Sequence, residues 1–484
     1  MNKKRKNVKF AYGAVLLTVV FLSLLFSRGN KGYNVILISI DTLRADHLGV
    51  YGYHRDTSPN IDALAKDSIV FENAISQASW TLPSHVSIFT SKYPPEIYPY
   101  NLSANMSDDY MASLARKEFV AHPNIATVLK GNGYSTVAFT SGGYVAGRLG
   151  FENGFDIYDD SYMQIKNPAP QITSRAIEWL EANRTNKFFL FLHYFDVHCP
   201  YEPLPEFQKF YLESQSRFNL SLRCAELDFS KLRFSNDEEA ANSSDVNRII
   251  GGYDDSITQV DYYLGEFIDK LKGYGIYDNT IIVILSDHGE TLYNHTGSDY
   301  FSDDFPTGYA GHGFSLFNEV LRVPLIIKYP GSSHQIVQER VGIVDVLPTV
   351  LDILKMDAPF NFSGKSALNI ERDRNLIAVS GRVKDFPYGG YAVFNDSHKM
   401  IFKERKDGTN ATFLYDLGTD GNEVSNLGSV KPDISGKLKD WLFYTLNVMV
   451  QNVAVKGHED AAGTRIVDME DILQNLAQQG YFGA

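Results

Sequence analysis

Four stretches of the chain are dominated by apolar, largely β-branched residues: 33–40 (YNVILISI), 135–140 (STVAFT), 188–193 (FFLFLH) and 280–286 (TIIVILS). Runs of this length and composition are those of strands buried on both faces, as in a parallel sheet covered by helices. Between them, residues 60–67 and 254–272 repeat apolar positions at helical spacing. The alternation predicts an α/β fold, a large mostly parallel sheet sandwiched by helices, over about residues 33–370. Beyond residue 375 the texture changes. Short alternating runs at 391–395 and 399–403, joined through the turn-prone Lys406, Asp407 and Gly408, predict a smaller C-terminal antiparallel sheet with a helix near 432–447, within 371–484. Residues 206–247 are charged and lack a strong period, which predicts an insertion over the functional face.

Charge alters the picture at the N-terminus. Lys3, Lys4, Arg5, Lys6 and Lys9 precede residues 10–26, seventeen positions without a charge. That order matches an export signal, and no small-x-small cleavage site follows. We expect residues 1–30 to be a basic cytoplasmic tail and an uncleaved signal anchor, holding the rest at a membrane outside the cytoplasm, whether periplasmic, extracellular or lumenal. The formal charge is −13, and removing those five positives leaves −18 for the body. A body that acidic repels polyanions, so nucleic acid is not the expected partner, and an anionic substrate must be met by a metal or by local donors. Cys199 and Cys224 are the only cysteines. They exclude a disulfide scaffold and leave open a single bridge in an oxidising compartment. Nine N-x-S/T sequons, among them Asn101, Asn219 and Asn410, would suit glycosylation.

The candidate chemistry sits at the ends of the predicted strands, where α/β sheets gather their ligands. The first run ends on Asp41 and the last leads into S-D-H-G-E, residues 286–290. An adjacent Asp287 and His288 offer a hard oxygen and an imidazole nitrogen to one cation. Other segments join them in order: D-T-L-R-A-D-H-L-G-V-Y-G from Asp41, T-L-P-S-H-V-S-I-F-T-S from Thr81, H-Y-F-D-V-H-C-P-Y from His193 and G-H-G-F-S-L-F-N-E-V-L-R-V-P-L from Gly311. V-D-V-L-P-T-V-L-D-I-L at 344–354 and Y-D-L-G-T-D-G-N-E-V-S-N-L at 415–427 complete the series. Together, over roughly residues 34–446, they resemble the sulfatase family of the alkaline phosphatase superfamily.

The resemblance implies a sulfatase-like catalytic domain with one divalent metal ion, Mn, Mg, Ca or Zn, held by Asp41, Thr81, Asp287 and His288. It puts Thr81 at the nucleophile position and His198 at that of the histidine assisting the leaving group. His312 lies beside the family's basic residue that contacts the ester oxygens. Three departures bear on the chemistry. The family signature C/S-x-P-x-R here reads T-L-P-S-H, with Thr81 in place of the residue converted to formylglycine and His85 in place of Arg. Residues 140–144 (TSGGY) lack the family's Lys and His, and Gly421 replaces a Pro. A threonine cannot become formylglycine, but a metal-bound threonine oxygen is a competent nucleophile toward phosphorus.

The sequence therefore points to an ester hydrolase, or a transferase, acting on an anionic ester of a small molecule, lipid head group or glycan. Phosphoester and phosphodiester chemistry is favoured, and the single anchor favours hydrolysis over transfer. A genuine sulfatase and a catalytically degenerate binding ectodomain are the alternatives. His85 and His312 read equally as functional groups or as polar lining. His295, Asp299, Asp303 and Asp304 read as a solvated loop rather than a second metal site.

Overall fold

The computed structural model describes residues 32–97, 108–213, 236–295, 310–358, 360–370, 374–380, 389–404 and 409–455. The basic tail and signal anchor expected at 1–30 lie outside these residues, as do Cys224, Asp299, Asp303 and Asp304. No helix among the described residues is long and apolar enough to cross a membrane.

The strands, in chain order, are β1 Asn34–Ile40, β2 Ile69–Ile75, β3 Ser135–Thr140, β4 Ile157–Asp159, β5 Phe188–Tyr194, β6 Thr280–Leu285, β7 Thr291–Leu292, β8 Ala310–Gly311, β9 Arg322–Val323, β10 Leu325–Lys328, β11 Gln335–Gly342, β12 Leu376–Val379, β13 Gly390–Phe394, β14 His398–Glu404 and β15 Asn410–Asp416. The principal helices are α1 Pro59–Ala65, α2 Thr81–Thr90, α3 Asp108–Ala121, α4 Ile125–Gly131, α5 Ala169–Asn183, α6 Ser244–Gly273, α7 Val346–Leu354 and α8 Pro432–Val455. Nine strands form the main sheet in the order β11-β2-β10-β6-β1-β5-β3-β4, with β9 paired to β2. β1 runs parallel to both β5 and β6, while β10 is antiparallel to its neighbours β2 and β6. The sheet is thus mixed but mostly parallel.

Strand periodicity distributes the apolar side chains to two cores. Ile36, Ile38 and Ile40 of β1 join Leu190 and Leu192 of β5 and Ile282 and Ile284 of β6 under α1, α5 and α6. The alternate residues Val35, Leu37, Phe189, Phe191, Ile281 and Val283 face α2, α3, α4 and α7. Each wholly buried large side chain contributes about 1.5–3 kcal/mol of transfer free energy, so the three central strands anchor the layers on both sides. α6 begins ten residues earlier than the periodicity at 254–272 suggests, capped where the Ser243 hydroxyl accepts from Val246 N.

β12 to β15 form a second, antiparallel sheet, with Leu438, Leu442 and Phe443 of α8 in its core. The turn between β13 and β14 is not the expected 406–408. It is built at Asn395, whose side-chain oxygen accepts from Ser397 N and His398 N at 3.0 and 2.7 Å. Residues 405–408 lie between β14 and β15, outside the described residues. The small sheet also reaches the main domain. Ser79 N donates to Val379 O and Val379 N to Gln77 O, each 3.0 Å, so the end of β12 braces the segment just before α2.

Within the expected insertion at 206–247, residues 214–235 are outside the described set. The short helix Lys209–Glu213 lies on α6, with Phe210 N and Tyr211 N donating to the Asp255 carboxylate at 2.9 and 2.8 Å.

Candidate active site

The ends of β1, β5 and β6 and the first turn of α2 converge on one buried polar centre. Asp41 follows β1 and is held by its backbone N–H on Tyr194 O at 2.9 Å. The next residue, Thr42, has φ 58°. A β-branched residue in the left-handed region is strained, and such strain concentrates at functional sites. Here it turns Thr42 N toward Asp287 Oδ1 at 3.3 Å and Thr42 O toward the Tyr253 hydroxyl at 2.7 Å. In the turn after β6, Gly289 packs so closely that a Cβ would stand 2.1 Å from Glu319 O, a fit that only glycine allows.

Asp41, Asp287 and His288 are wholly buried, and one ligand atom from each lies within 4.8 Å of the others. Asp287 Oδ1 accepts from Thr42 N and, at 2.9 Å, from His288 N. Asp287 Oδ2 and both Asp41 carboxylate oxygens are buried with no hydrogen-bond partner among the described residues. His288 Nδ1 sits 2.9 Å from Gly289 O, so it carries the proton and leaves Nε2 as a bare lone pair. That nitrogen is 3.3 Å from Thr81 Oγ1, 3.4 Å from Asp287 Oδ2 and 3.7 Å from Asp41 Oδ1. Donors bound about 2.1 Å from one ion at tetrahedral angles stand about 3.4 Å apart. The spacing, the donor chemistry and the unpartnered oxygens all fit a cation held by Asp41, Asp287, His288 and Thr81.

Electrostatics point the same way. Burial works to raise the Asp41 pKa, but the neighbouring His193, His198 and His288 rings outweigh it and hold this carboxyl below the usual range. Burial and then the Asp41 charge push Asp287 well above its ordinary value. Without a cation, the pair supports one negative charge rather than two.

Thr81 opens α2, every residue of which is buried, and Trp80 supplies no side-chain cap. The unsatisfied N–H groups and the positive end of the helix dipole therefore lie at Thr81. One turn on, His85 points back beneath Thr81. Its Nδ1 lies 3.0 Å from Thr81 O and its Nε2 3.0 Å from Ser39 Oγ, and burial pushes its pKa down to about 3. His85 is a neutral strut tying α2 to β1.

His198 is half-buried, stacks on Phe195 at 4.2 Å and has its Nδ1 2.8 Å from Cys199 O. Burial, then the charge of His312, lowers its pKa. His312 lies beside both His288 and His198, with ring centroids 4.5 and 4.9 Å apart. Burial would lower the His312 pKa, but the Glu290 carboxylate, 3.0 Å from Nδ1, raises it. The Tyr201 hydroxyl donates to the other Glu290 oxygen at 2.9 Å. Residues 140–144 bring Tyr144 edge-on to Trp80, ring centroids 5.4 Å apart.

His295 is not on a solvated loop. It stacks flat on Phe317 at 3.7 Å, bonds Asn422 O at 2.8 Å and pairs with Glu319 at 3.1 Å. Burial opposes its charge, yet Glu319 pushes its pKa up to about 9. The neighbouring Glu423 is already met by the buried Lys399 ammonium at 2.6 Å. This second cluster of His295, Glu319 and Glu423 is a charge-balanced brace, far better explained by its own cations than by a metal. Glu290, Tyr201, Ser39 and His193 were not singled out from the sequence. His193 alone left a signal there, as an imidazole inside an apolar strand.

The family profile described as Sulfatase matches residues 33–356. The chain belongs to the sulfatase family. This family, of the alkaline phosphatase superfamily, comprises metal-dependent ester hydrolases, and the chain is one of them. An arylsulfatase of Clostridium perfringens is 22% identical over 492 residues, covering 88% of this chain and 95% of that protein. Two solved structures share the fold. A phosphonate monoester hydrolase of Agrobacterium radiobacter has a TM-score of 0.61 at 18% identity, covering 86% of this chain and 96% of its own. A protein in complex with its substrate D-glucosamine-2-N,6-O-disulfate has a TM-score of 0.65 at 18% identity, covering 87% of this chain and 99% of its own.

The buried carboxylate pair of this sulfatase-family protein generates a stability prediction. A carboxyl whose folded pKa is raised contributes stability that is full below its unfolded pKa and lost as pH rises through the folded value. Asp287 is such a group when no cation is bound. Asp287→Asn keeps the Oδ1 acceptor, removes the second buried charge and turns an N–H toward His288 Nε2, which lies 3.4 Å from Oδ2 in the wild type. In chelator at neutral pH we expect the variant to be more stable than the wild type by about 1–4 kcal/mol, measured by denaturant unfolding, with the order reversed once the cation is restored.

Proposed function

We propose that the protein hydrolyses phosphate esters, phosphodiesters above all, through a phosphorylated Thr81. One observation carries this reading: Thr81 Oγ1 stands 3.3 Å from the bare Nε2 of His288, at the first turn of a buried helix and beside two carboxylates, three of whose four oxygens are unpartnered among the described residues. A divalent ion held by Asp41, Asp287, His288 and Thr81 would lower the pKa of the threonine hydroxyl and neutralise the ester oxygens.

Thr81 Oγ forms the new P–O bond as the bond to the leaving oxygen breaks. The leaving oxygen takes a proton. His312 is suited to supply it, because the Glu290 carboxylate raises its pKa and occupies Nδ1, leaving Nε2–H for the substrate. His198, neutral with its Nδ1–H on Cys199 O, presents Nε2 as an acceptor for the water that next attacks phosphorus and frees Thr81. A secondary alcohol offers no gem-diol from which sulfate could be eliminated, which supports phosphorus over sulfur as the centre attacked. The phosphonate monoester hydrolase with the same fold is in keeping with that preference, while the neighbour solved with a disulfated glucosamine favours sulfate ester hydrolysis as the second reading.

We place this chemistry outside the cytoplasm, at a membrane reached through residues 1–30. Cys199 is disulfide-bonded, and Cys224 is the only other cysteine, in keeping with an oxidising compartment.

Two outcomes are expected. Thr81→Ala lowers kcat on bis-p-nitrophenyl phosphate by at least about 10³-fold with metal content retained, and p-nitrophenyl sulfate is turned over more slowly than the phosphodiester. Wild-type rates in the variant, or sulfate turnover alone, would overturn the reading. Glu290→Gln removes the charge that raises the His312 pKa, so the imidazolium is lost at lower pH. The basic limb of the kcat/KM profile should move toward acid, and an unmoved limb would remove His312 from the proton path.

A further inference from the structure

We propose that Tyr144 is a specificity-determining residue of this site, a wall beside Thr81 on which an aromatic, uncharged group of the ester substrate stacks. The inference rests on the reading of Thr81 as the residue that attacks the ester, and it adds the kind of group the ester carries.

Tyr144 stands in the turn that follows β3, and the buried parts of that turn fix where its tip lies. Ser141 N and Ser141 Oγ both donate to His193 O, at 3.3 and 3.1 Å. Gly142, at φ 90°, packs so closely on the end of β5 that a Cβ would stand 2.8 Å from the Phe195 ring and 3.3 Å from that of His193. Both the dihedral and the close approach require glycine. On the other side of Tyr144, Val145 is wholly buried and its carbonyl accepts from the Tyr158 hydroxyl at 2.5 Å.

The turn thereby touches the segments that carry two of the site residues. Tyr144 meets Trp80 edge-on, with ring centroids 5.4 Å apart and planes at 89°, and Trp80 is the residue before Thr81. Two residues earlier, Gly142 lies against Phe195, whose ring stacks on that of His198 at 4.2 Å. The turn is therefore braced between the start of α2 and the ring behind His198, where groups attached to an ester at Thr81 must find room.

Its tip is open. Tyr144 is 41% exposed, and a Cβ on the preceding Gly143 would meet no atom within 4 Å. An edge-on neighbour holds a ring upright without covering both of its faces. Residues 140–147 (TSGGYVAG) carry no charge. The wall thus offers a π face and apolar area, with no ion to pair a second anionic group. Such a surface takes a flat uncharged ring in offset stacking better than an alkyl group.

The test reads binding without turnover. Phenylphosphonate, cyclohexylphosphonate and methylphosphonate share one anionic head, and each is titrated calorimetrically into the full chain supplied with excess Mn²⁺, with and without competing inorganic phosphate. The wild type should bind the phenyl compound at least about tenfold more tightly than the methyl and about threefold more tightly than the cyclohexyl, and phosphate should displace it. Tyr144→Ala should erase both preferences, and Tyr144→Phe, which keeps the ring, should retain them. On bis-p-nitrophenyl phosphate the loss in Tyr144→Ala should appear in KM. Equal affinities in the wild type, or a phenyl preference that survives Tyr144→Ala, would overturn the inference and leave the proposed function standing. An equal loss for all three phosphonates, or a loss in kcat alone, would show a structural role and overturn it as well. Binding of none of them by the wild type would overturn the anionic-ester site on which the inference rests.

Discussion

Two carboxylates meeting in a dry interior cannot both keep their charge unless a cation joins them. Asp41 and Asp287 are in that position, wholly buried with three of their four oxygens unpartnered among the described residues. Much of the surrounding structure directs positive or neutral donors at them. His288 is locked as the Nδ1 tautomer, His85 is kept uncharged by burial, and the N-terminal turn of α2 points its free N–H groups inward. In water the repulsion of such a pair is weak, and burial multiplies it several-fold. The fold thus stores an electrostatic demand that a divalent ion would meet.

Meeting that demand requires rigid placement of elements distant in sequence. β1, β5 and β6 are tied by parallel ladders, which align Asp41, His193 and Asp287 at one edge of the sheet. α2 is fixed from below by Ser39 and His85, and from behind by the second sheet, where Val379 exchanges backbone hydrogen bonds with Gln77 and Ser79. Gly313 N adds another bond to Ser79 O at 2.8 Å, linking the segment that carries His312 to the turn that carries Thr81. The small sheet is therefore part of how Thr81 is held in place. The His295, Glu319, Glu423 and Lys399 cluster joins that sheet to the short helix Asn318–Leu321 that precedes β9 by paired buried charges.

The central strands were legible because a strand buried on both faces must be apolar throughout, and few other elements are. Asp41, Asp287 and His288 were legible for the same reason, as polar residues placed where such runs end. The outer part of the main sheet was not. β11 is an edge strand with mixed exposure and β2 contains Glu72 and Asn73, so neither presents a clean period. β15 was hidden within a motif read for its family likeness. Glu290 and Tyr201 meet across 89 residues of chain, a pairing that no local pattern encodes. His295 was misread because its partners Glu319 and Asn422 come from remote segments, and beside nearby aspartates it looked merely polar. His193 was visible as the one imidazole in an apolar strand, but its neighbours Ser141 O and Asp41 come from other segments of the chain.

The measurement that bears most directly on this scheme is a crystal structure of the cation-loaded protein collected across the absorption edge of the bound ion. A single anomalous peak is predicted, within about 2.3 Å of Thr81 Oγ1 and of the nearest Asp41, Asp287 and His288 donor atoms. A peak in bonding contact with the carboxylates but far from Thr81, or no peak between them after loading, would contradict it.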